Sequence, residues 1–265
     1  MKHLALICAL ALTPALLLSG PAHAGPVWDR ILKKGELVVG TTGTQPPLSI
    51  TAKSGEIIGL DADIAKLIAT GLGLKIRFSK MLFSELMPAL ESGKADIIIS
   101  GMAMTPERNA KVPFIGPYYV SGTCVMCKMK SLTALDKEGL DSPKFRVGAL
   151  KGSMSQAVAE AVTAQAKLVT AASYEEALDL LFQDKIEVLL ADFPFCSYCL
   201  ARYAGKGLTL KGGRLTFEPL GIGVREDVLL LNWLDNFLKI LTGTGELTKL
   251  HDRWLQDNSW IKELP

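Results

Sequence analysis

The chain has 265 residues, 49% of them hydrophobic, with 29 Lys and Arg against 27 Asp and Glu, for a formal net charge of +2. That near-neutral balance, with no dense basic run, argues against a nucleic-acid partner. Past the first residues, no stretch holds the roughly 18 uninterrupted apolar residues of a membrane span. The longest candidate, VLLLNWLDNFLKILTG, is broken by Asn232, Asp235 and Asn236.

The N-terminus reads as an export signal. MKH is a short basic start, LALICALALTPALLL is the apolar stretch, and AHA before Gly25 has the small-x-small form of a cleavage site. Cleavage after Ala24 leaves residues 25–265, an exported chain whose expected location is the periplasm, with 28 basic and 27 acidic side chains once Lys2 is removed. That length suits one large or two modest cores.

From there strands and helices alternate. ELVVGTT (36–42) leads into DADIAKLIATGLG, then LKIRFSK, FSELMPALESG and ADIIIS. Ile64, Leu67, Ile68 and Leu72 fall on one expected helical face. The same β-α-β-α-β order returns as FRVGAL (145–150), MSQAVAEAVTAQ, KLVTA, SYEEALDLLFQD and IEVLLA (186–191). Ser173 with Glu176 three residues on forms a capping-box signature. Short apolar strands alternating with helices predict parallel sheets covered on both faces. The fold class is therefore α/β, with two doubly wound lobes.

Two extended stretches, PYYVSGTCVMCKMK and RLTFEPLGIGV, lie between and after these sets, and a helical tail follows. A tail without a strand would pack back on the first lobe. The expected division is then 25–118 with 219–265 as a discontinuous lobe 1 and 119–218 as lobe 2, joined by two crossing strands. Ligands of such sheets sit at the carboxyl ends of the strands, here in one shared cleft.

Four cysteines remain after Cys8 leaves with the signal: Cys124 and Cys127 in CVMC, and Cys196 and Cys199 in CSYC. An exported chain with an even count suggests disulfides, while paired CxxC spacings also suit zinc, and four separate thiols are the third reading. Within a strand, Cys124 and Cys127 stand about 10 Å apart on opposite faces, too far to join each other.

Five segments taken in order resemble the periplasmic solute-binding proteins of polar amino-acid ABC transporters: DRILKKGELVVGT, GEIIGLDADIAKLIATGLGL, FSELMPALESGKADIIISGMAMTPERNAKVPFIGPYYVSG, FRVGALKGS and IEVLLAD. The resemblance implies the type II periplasmic-binding fold, two lobes closing like a flytrap. It also implies an amino-acid or small-carboxylate ligand, an inner-membrane permease partner, a monomeric state, and no cofactor or metal. It implies roles for particular residues. Arg108, in Thr105-Pro106-Glu107-Arg108, matches the carboxylate clamp, since a guanidinium offers a planar fork that lysine lacks. The plain alternative is a solvated arginine.

Asp192 matches the residue that meets the ligand ammonium; its alternative role is a helix N-cap ahead of Pro194. Ser153, after Gly152, matches a helix start that holds a carboxylate, or is a simple cap. Gly101 lets backbone approach the ligand, Phe83 gives an apolar wall, and Thr42 belongs to the same expected site. Ala103, Gln45 and Met154 depart from the family's usual hydroxyl, aromatic and small residues, which implies a softer, less polar pocket. In family terms, the strand after the first crossing lies beside 186–191, so one of Cys124 and Cys127 could meet one of Cys196 and Cys199 in a disulfide.

The chain also resembles the periplasmic cyclohexadienyl dehydratases on this fold, so an arogenate or prephenate dehydratase is the alternative function. Those enzymes carry a glutamate three residues after the helix-start glycine; here that residue is Ser155. A membrane-receptor sensor domain is a third reading. The expectation is a binding protein and not an enzyme.

Overall fold

The computed structural model describes residues 25–265, so the expected signal segment, 1–24, lies outside the described residues. Helix α1 (Pro26–Lys34) precedes β1 (Glu36–Thr41), a small three-stranded sheet of β2 (Thr44–Gln45), β3 (Ser49–Thr51) and β4 (Ile57–Ile58), then α2 (Leu60–Gly71) and β5 (Lys75–Lys80). A 3-10 turn, Phe83–Glu85, leads into α3 (Leu86–Glu91), β6 (Ile97–Ile98), the short α4 (Pro106–Asn109) and β7 (Phe114–Ser121).

The second set is β8 (Thr123–Lys128), α5 (Met129–Glu138), β9 (Arg146–Leu150), α6 (Met154–Val162), β10 (Lys167–Ala171), α7 (Tyr174–Phe182), β11 (Val188–Asp192), α8 (Phe193–Arg202) and β12 (Leu208–Lys211). The chain closes with β13 (Glu218–Val224), α9 (Val228–Gly243), α10 (Glu246–His251) and two short helical turns. No helix among the described residues is long and apolar enough to cross a membrane.

Two five-stranded sheets result, ordered β5-β1-β6-β13-β7 and β10-β9-β11-β8-β12. Each is α/β and doubly wound, but neither is purely parallel. The crossing strands enter against the grain: β13 pairs antiparallel with β6 and β7, and β8 antiparallel with β11 and β12. A connection of one residue, Gly122, carries the chain from β7 of the first sheet to β8 of the second. A Cβ on Gly122 would stand 2.3 Å from the Thr216 carbonyl of the returning segment, so only glycine lets the two crossings lie so close.

On α2 the buried face is Leu60, Asp61, Ile64, Ala65 and Ile68, whereas Leu67 is 37% exposed. The expected stripe through Leu67 is thus rotated, because the first turn of the helix plunges Asp61 toward the junction of the lobes. The Ser173 cap forms as expected, its hydroxyl accepting from the Glu176 N–H at 3.1 Å, while Glu176 reaches back to the Ala172 N–H.

The tail packs on the first sheet. Leu230, Leu234, Leu238 and Leu241 of α9 are buried, Trp254 is buried and donates to Asp63 at 2.8 Å, and Trp260 stacks on Tyr198 of α8. One carboxylate starts two helices at once. Asp227 accepts from the Leu229 and Leu230 N–H groups of α9 at 3.1 Å, and from Val27 and Trp28 of α1 at 3.0 and 2.9 Å.

All four cysteines are free and buried, so the expected cross-pair disulfide is absent. The strand order does bring one from each pair together. Cys124 is paired in register with Ala191, whose carbonyl lies 3.8 Å from the Cys196 sulfur, and the Cys196 thiol faces Cys124. Cys127 packs in the separate core cluster on the other face of its sheet, so the four sulfurs do not converge.

Because Asp227 serves two helix starts, Asp227→Ala is expected to cost about 2–4 kcal/mol, two caps at ~1–2 kcal/mol each. Urea denaturation checks this, with Asp227→Asn retaining most of the stability; a loss below the value of one cap would contradict the shared role.

Candidate functional site

The carboxyl ends of β1, β6, β9 and β11 converge where the two sheets face each other. Thr42 follows β1; its N–H donates to Ser100 Oγ at 3.1 Å and its hydroxyl lies 3.4 Å from Ser49 Oγ. Gly101, just past β6, has φ +58° and donates its N–H to Asp61 at 2.7 Å. A Cβ there would sit 2.5 Å from the Gln45 amide nitrogen, so a side chain is excluded on both counts.

Arg108 is held on α4, whose start Thr105 caps by accepting from the Arg108 N–H at 3.2 Å. Its guanidinium is not a solvated surface group. It donates to the Ala103 carbonyl at 2.8 Å and, across the junction, to the Gly152 carbonyl at 3.0 Å, and it stands 5.7 Å over the Phe83 ring. Burial lowers its pKa, opposed first by Asp192 and then by Glu218 and Glu107. Phe83 itself is buried, and Ala103 is buried and bridges to Leu220.

Asp192 ends β11 at the N-cap position of α8, yet its side chain caps nothing. The carboxylate instead accepts from Gln45 Nε2 at 2.6 Å, a bond between residues 147 apart that ties the small sheet beside lobe 1 to lobe 2. The Asp192 N–H donates to the Tyr174 hydroxyl at 3.3 Å, and the Tyr174 ring stacks on Phe195 with centroids 4.2 Å apart. Gln45 Oε1 is buried with no hydrogen-bond partner.

Ser153 sits across from Arg108 in the loop that supplies Gly152. Its hydroxyl donates to the Leu150 carbonyl at 2.7 Å and accepts from the Gln156 N–H at 3.2 Å, so it is occupied as a cap. Met154, one residue on, is half-buried against the main core.

Sequence reasoning missed three neighbours. Asp61 looks like an ordinary acidic residue in the first turn of a helix, Tyr118 like a strand residue, and Glu218 like a loop acid. All three are buried. Glu218 accepts from Thr123 and Thr216 hydroxyls at 2.7 and 2.6 Å beside the crossing strands. The Tyr118 hydroxyl lies beside Asp61.

Burial pushes the Asp61 carboxyl up to about 7 against the pull of Tyr118 and the Gly101 N–H. Burial, followed by repulsion from Glu218, pushes Asp192 up to about 7 as well, against Tyr174, Gln45 and Arg108.

Beside this charged cluster lies a cavity of about 310 Å³ between the lobes. Thr42, Gln45 and Phe83 line it from one side, and Leu150, Ser173 and Tyr174 from the other. Arg108 and Asp192 do not themselves line it, but Phe83 lies under the first, and Gln45 and Tyr174 contact the second.

The profile of the bacterial extracellular solute-binding proteins, family 3, matches residues 37–257. The chain belongs to that family. It is 30% identical over 222 residues to the Escherichia coli ABC transporter arginine-binding protein 1, covering 81% of this chain and 88% of that one. Among solved structures, an ancestral amino-acid-binding protein described as a precursor of cyclohexadienyl dehydratase is 34% identical with TM-score 0.80, covering 86% of this chain and 98% of its own. A binding component of an ABC transporter from Wolinella succinogenes, complexed with lysine, is 32% identical with TM-score 0.80, covering 86% and 99%. The fold of this chain is accordingly that of the family's two-lobed amino-acid-binding proteins.

The two raised carboxyls set a pH dependence for this family member. A carboxyl near 7 in the fold and near 3.8 unfolded holds its proton more tightly when folded. Its contribution to stability is then fully present below the unfolded value and lost as pH rises through about 7. The melting temperature is expected to fall from about pH 4 to about pH 7 for the same reason. Asp192→Asn should flatten that slope, and an unchanged slope in the variant would show that Asp192 does not titrate there.

Proposed function

We propose that this chain is the free binding component of an amino-acid ABC importer, exported to the periplasm by its N-terminal signal and delivering cargo to an inner-membrane permease. It acts as a monomer without a cofactor. Its lobes, 25–118 with 219–265 and 119–218, close over the ligand by bending at the crossing strands around Gly122 and residues 212–217. Closure of this kind is driven by contacts that only the closed form makes.

One observation carries the reading. A half-buried guanidinium from the first lobe and a buried carboxylate from the second face the same junction, the pair of charges that a zwitterionic α-amino acid requires. Arg108 takes the ligand carboxylate, exchanging the Ala103 and Gly152 carbonyls for a charged partner. Asp192 takes the α-ammonium, which displaces the Gln45 Nε2 donor and finds Gln45 Oε1 as a second acceptor. The start of α6, capped by Ser153, and Gly101 shape the backbone around the carboxylate, while Thr42, Phe83, Ala103 and Met154 bound the site.

The dehydratase reading is the weaker one. Where the enzymes carry their acid, this chain has Ser155, fully buried with its hydroxyl 3.4 Å from that of Thr123. A hydroxyl so placed does not protonate a leaving group at neutral pH.

Titration calorimetry against the twenty amino acids, with prephenate and arogenate, tests the function. Arg108→Ala is expected to lose about 2–5 kcal/mol of binding, the cost of removing one partner of a buried charged pair, with an unchanged circular dichroism spectrum. Retained affinity in the variant would remove the clamp, and turnover of prephenate would replace transport with catalysis.

A further inference from the structure

The cavity beside Gln45 has walls that select a ligand side chain, an inference that rests on Arg108 and Asp192 holding the two α-groups. With those groups anchored, the side chain enters the space that Phe83 borders from the Arg108 end and that Gln45 and Tyr174 border from the Asp192 end. Its volume of about 310 Å³ is at the small end for ligand sites, enough for a single amino-acid side chain.

We infer that this space takes a neutral, mainly apolar side chain and rejects lysine and arginine. The buried walls are Phe83, Leu150 and the Tyr174 ring, and Met81 and Leu82 extend them. Of the hydroxyls, Thr42 is engaged with Ser49 and Ser100, Ser173 with the start of α7 and Tyr174 with the Asp192 N–H, and Thr44 adds one small neutral group.

Two charged side chains border the cavity, and neither suits a cation. Lys80 is itself positive, its ammonium donating to Thr51 at 2.8 Å. Glu85 is exposed and accepts the Leu82 N–H at 2.9 Å, closing the turn that carries Phe83. The carboxylates of Glu175 and Asp179 border a different cavity, of about 460 Å³, with Thr44 and Lys80 standing between the two spaces. A cationic side chain entering beside Tyr174 would lose its water, meet no buried carboxylate and approach Lys80, which is costly for an ammonium. A thioether or aliphatic chain meets only surfaces of its own kind.

L-norleucine has the four-carbon side chain of L-lysine without the terminal ammonium, so the pair isolates this term. In calorimetry on the purified protein with L-norleucine, L-methionine, L-lysine, L-arginine and hexanoate, norleucine and methionine are expected to bind about 100-fold more tightly than lysine, the scale on which a pocket rejects a mismatched side chain. Lysine or arginine binding as tightly as norleucine overturns the inference and leaves the transport function standing. Binding of none of the four amino acids overturns the inference together with the amino-acid reading on which it rests. Hexanoate binding as well as norleucine removes Asp192 from ligand recognition, and with it the anchored geometry used here.

Discussion

A guanidinium taken out of water must be surrounded by acceptors, and the arrangement of the two lobes follows from how Arg108 meets that requirement. One acceptor, the Ala103 carbonyl, comes from its own lobe, and the other, the Gly152 carbonyl, from the opposite lobe. Neither is charged, so two neutral dipoles balance a full positive charge, helped at longer range by Asp192 and Glu218. Asp192 stands in the matching position, a carboxylate whose nearest donor is a neutral amide, that of Gln45. Charges satisfied by neutral partners are held less strongly than by opposite charges. In the proposed role, a zwitterion placed between them would improve both sets of bonds at once and so favour closure around a ligand.

The crossing strands make such closure compatible with a stable fold. Only the segments at Gly122 and between Lys211 and Glu218 join the sheets along the chain, while one buried cluster, with Leu37 and Ile97 of the first sheet and Met126 and Leu189 of the second, runs across the junction. Glu218, buried with two threonine hydroxyls on one oxygen, ties Thr123 of β8 to the segment that enters β13. The tail adds a strap across the junction, through Trp260 on Tyr198 and the Pro265 carbonyl on Arg202 at 2.7 Å. The tail therefore contacts both lobes.

Arg108 and Asp192 were singled out by resemblance to the family rather than by local pattern. Spacing alone leaves Arg108 a solvated arginine, and only the matching segments around Thr105-Pro106-Glu107-Arg108 carried the clamp expectation. Asp192 was legible by position at the end of an apolar strand, but the same position fits an ordinary cap, and only the geometry separates the roles. The Gln45–Asp192 bond was not legible, since it joins a small sheet near residue 45 to a strand end 147 residues later and depends on how far the lobes are closed. Asp61 escaped for a related reason. The helical pattern was clear, but the rotation of α2 about its axis, which buries Asp61 and exposes Leu67, is set by packing against β1 and β4. The alternating elements gave the two lobes, while the antiparallel entry of β8 and β13 depends on long-range pairing that periodicity does not encode.

Family membership carries different weight at the two ends of the site. The α-groups are common to every amino acid, so in the proposed role Arg108 and Asp192 would add affinity for all of them and discriminate among none. Discrimination is a difference of affinities, and it arises where ligands differ, at the side-chain end. That end is built from the 3-10 turn after β5, the end of β9 and the start of α7, loops and element ends that vary without disturbing either sheet. A chain can therefore share the fold of arginine-binding relatives while walls such as Phe83, Leu150 and Tyr174 present no acid to a cationic side chain. Under the proposed inference those walls set specificity, because an ammonium without a partner is costly among them.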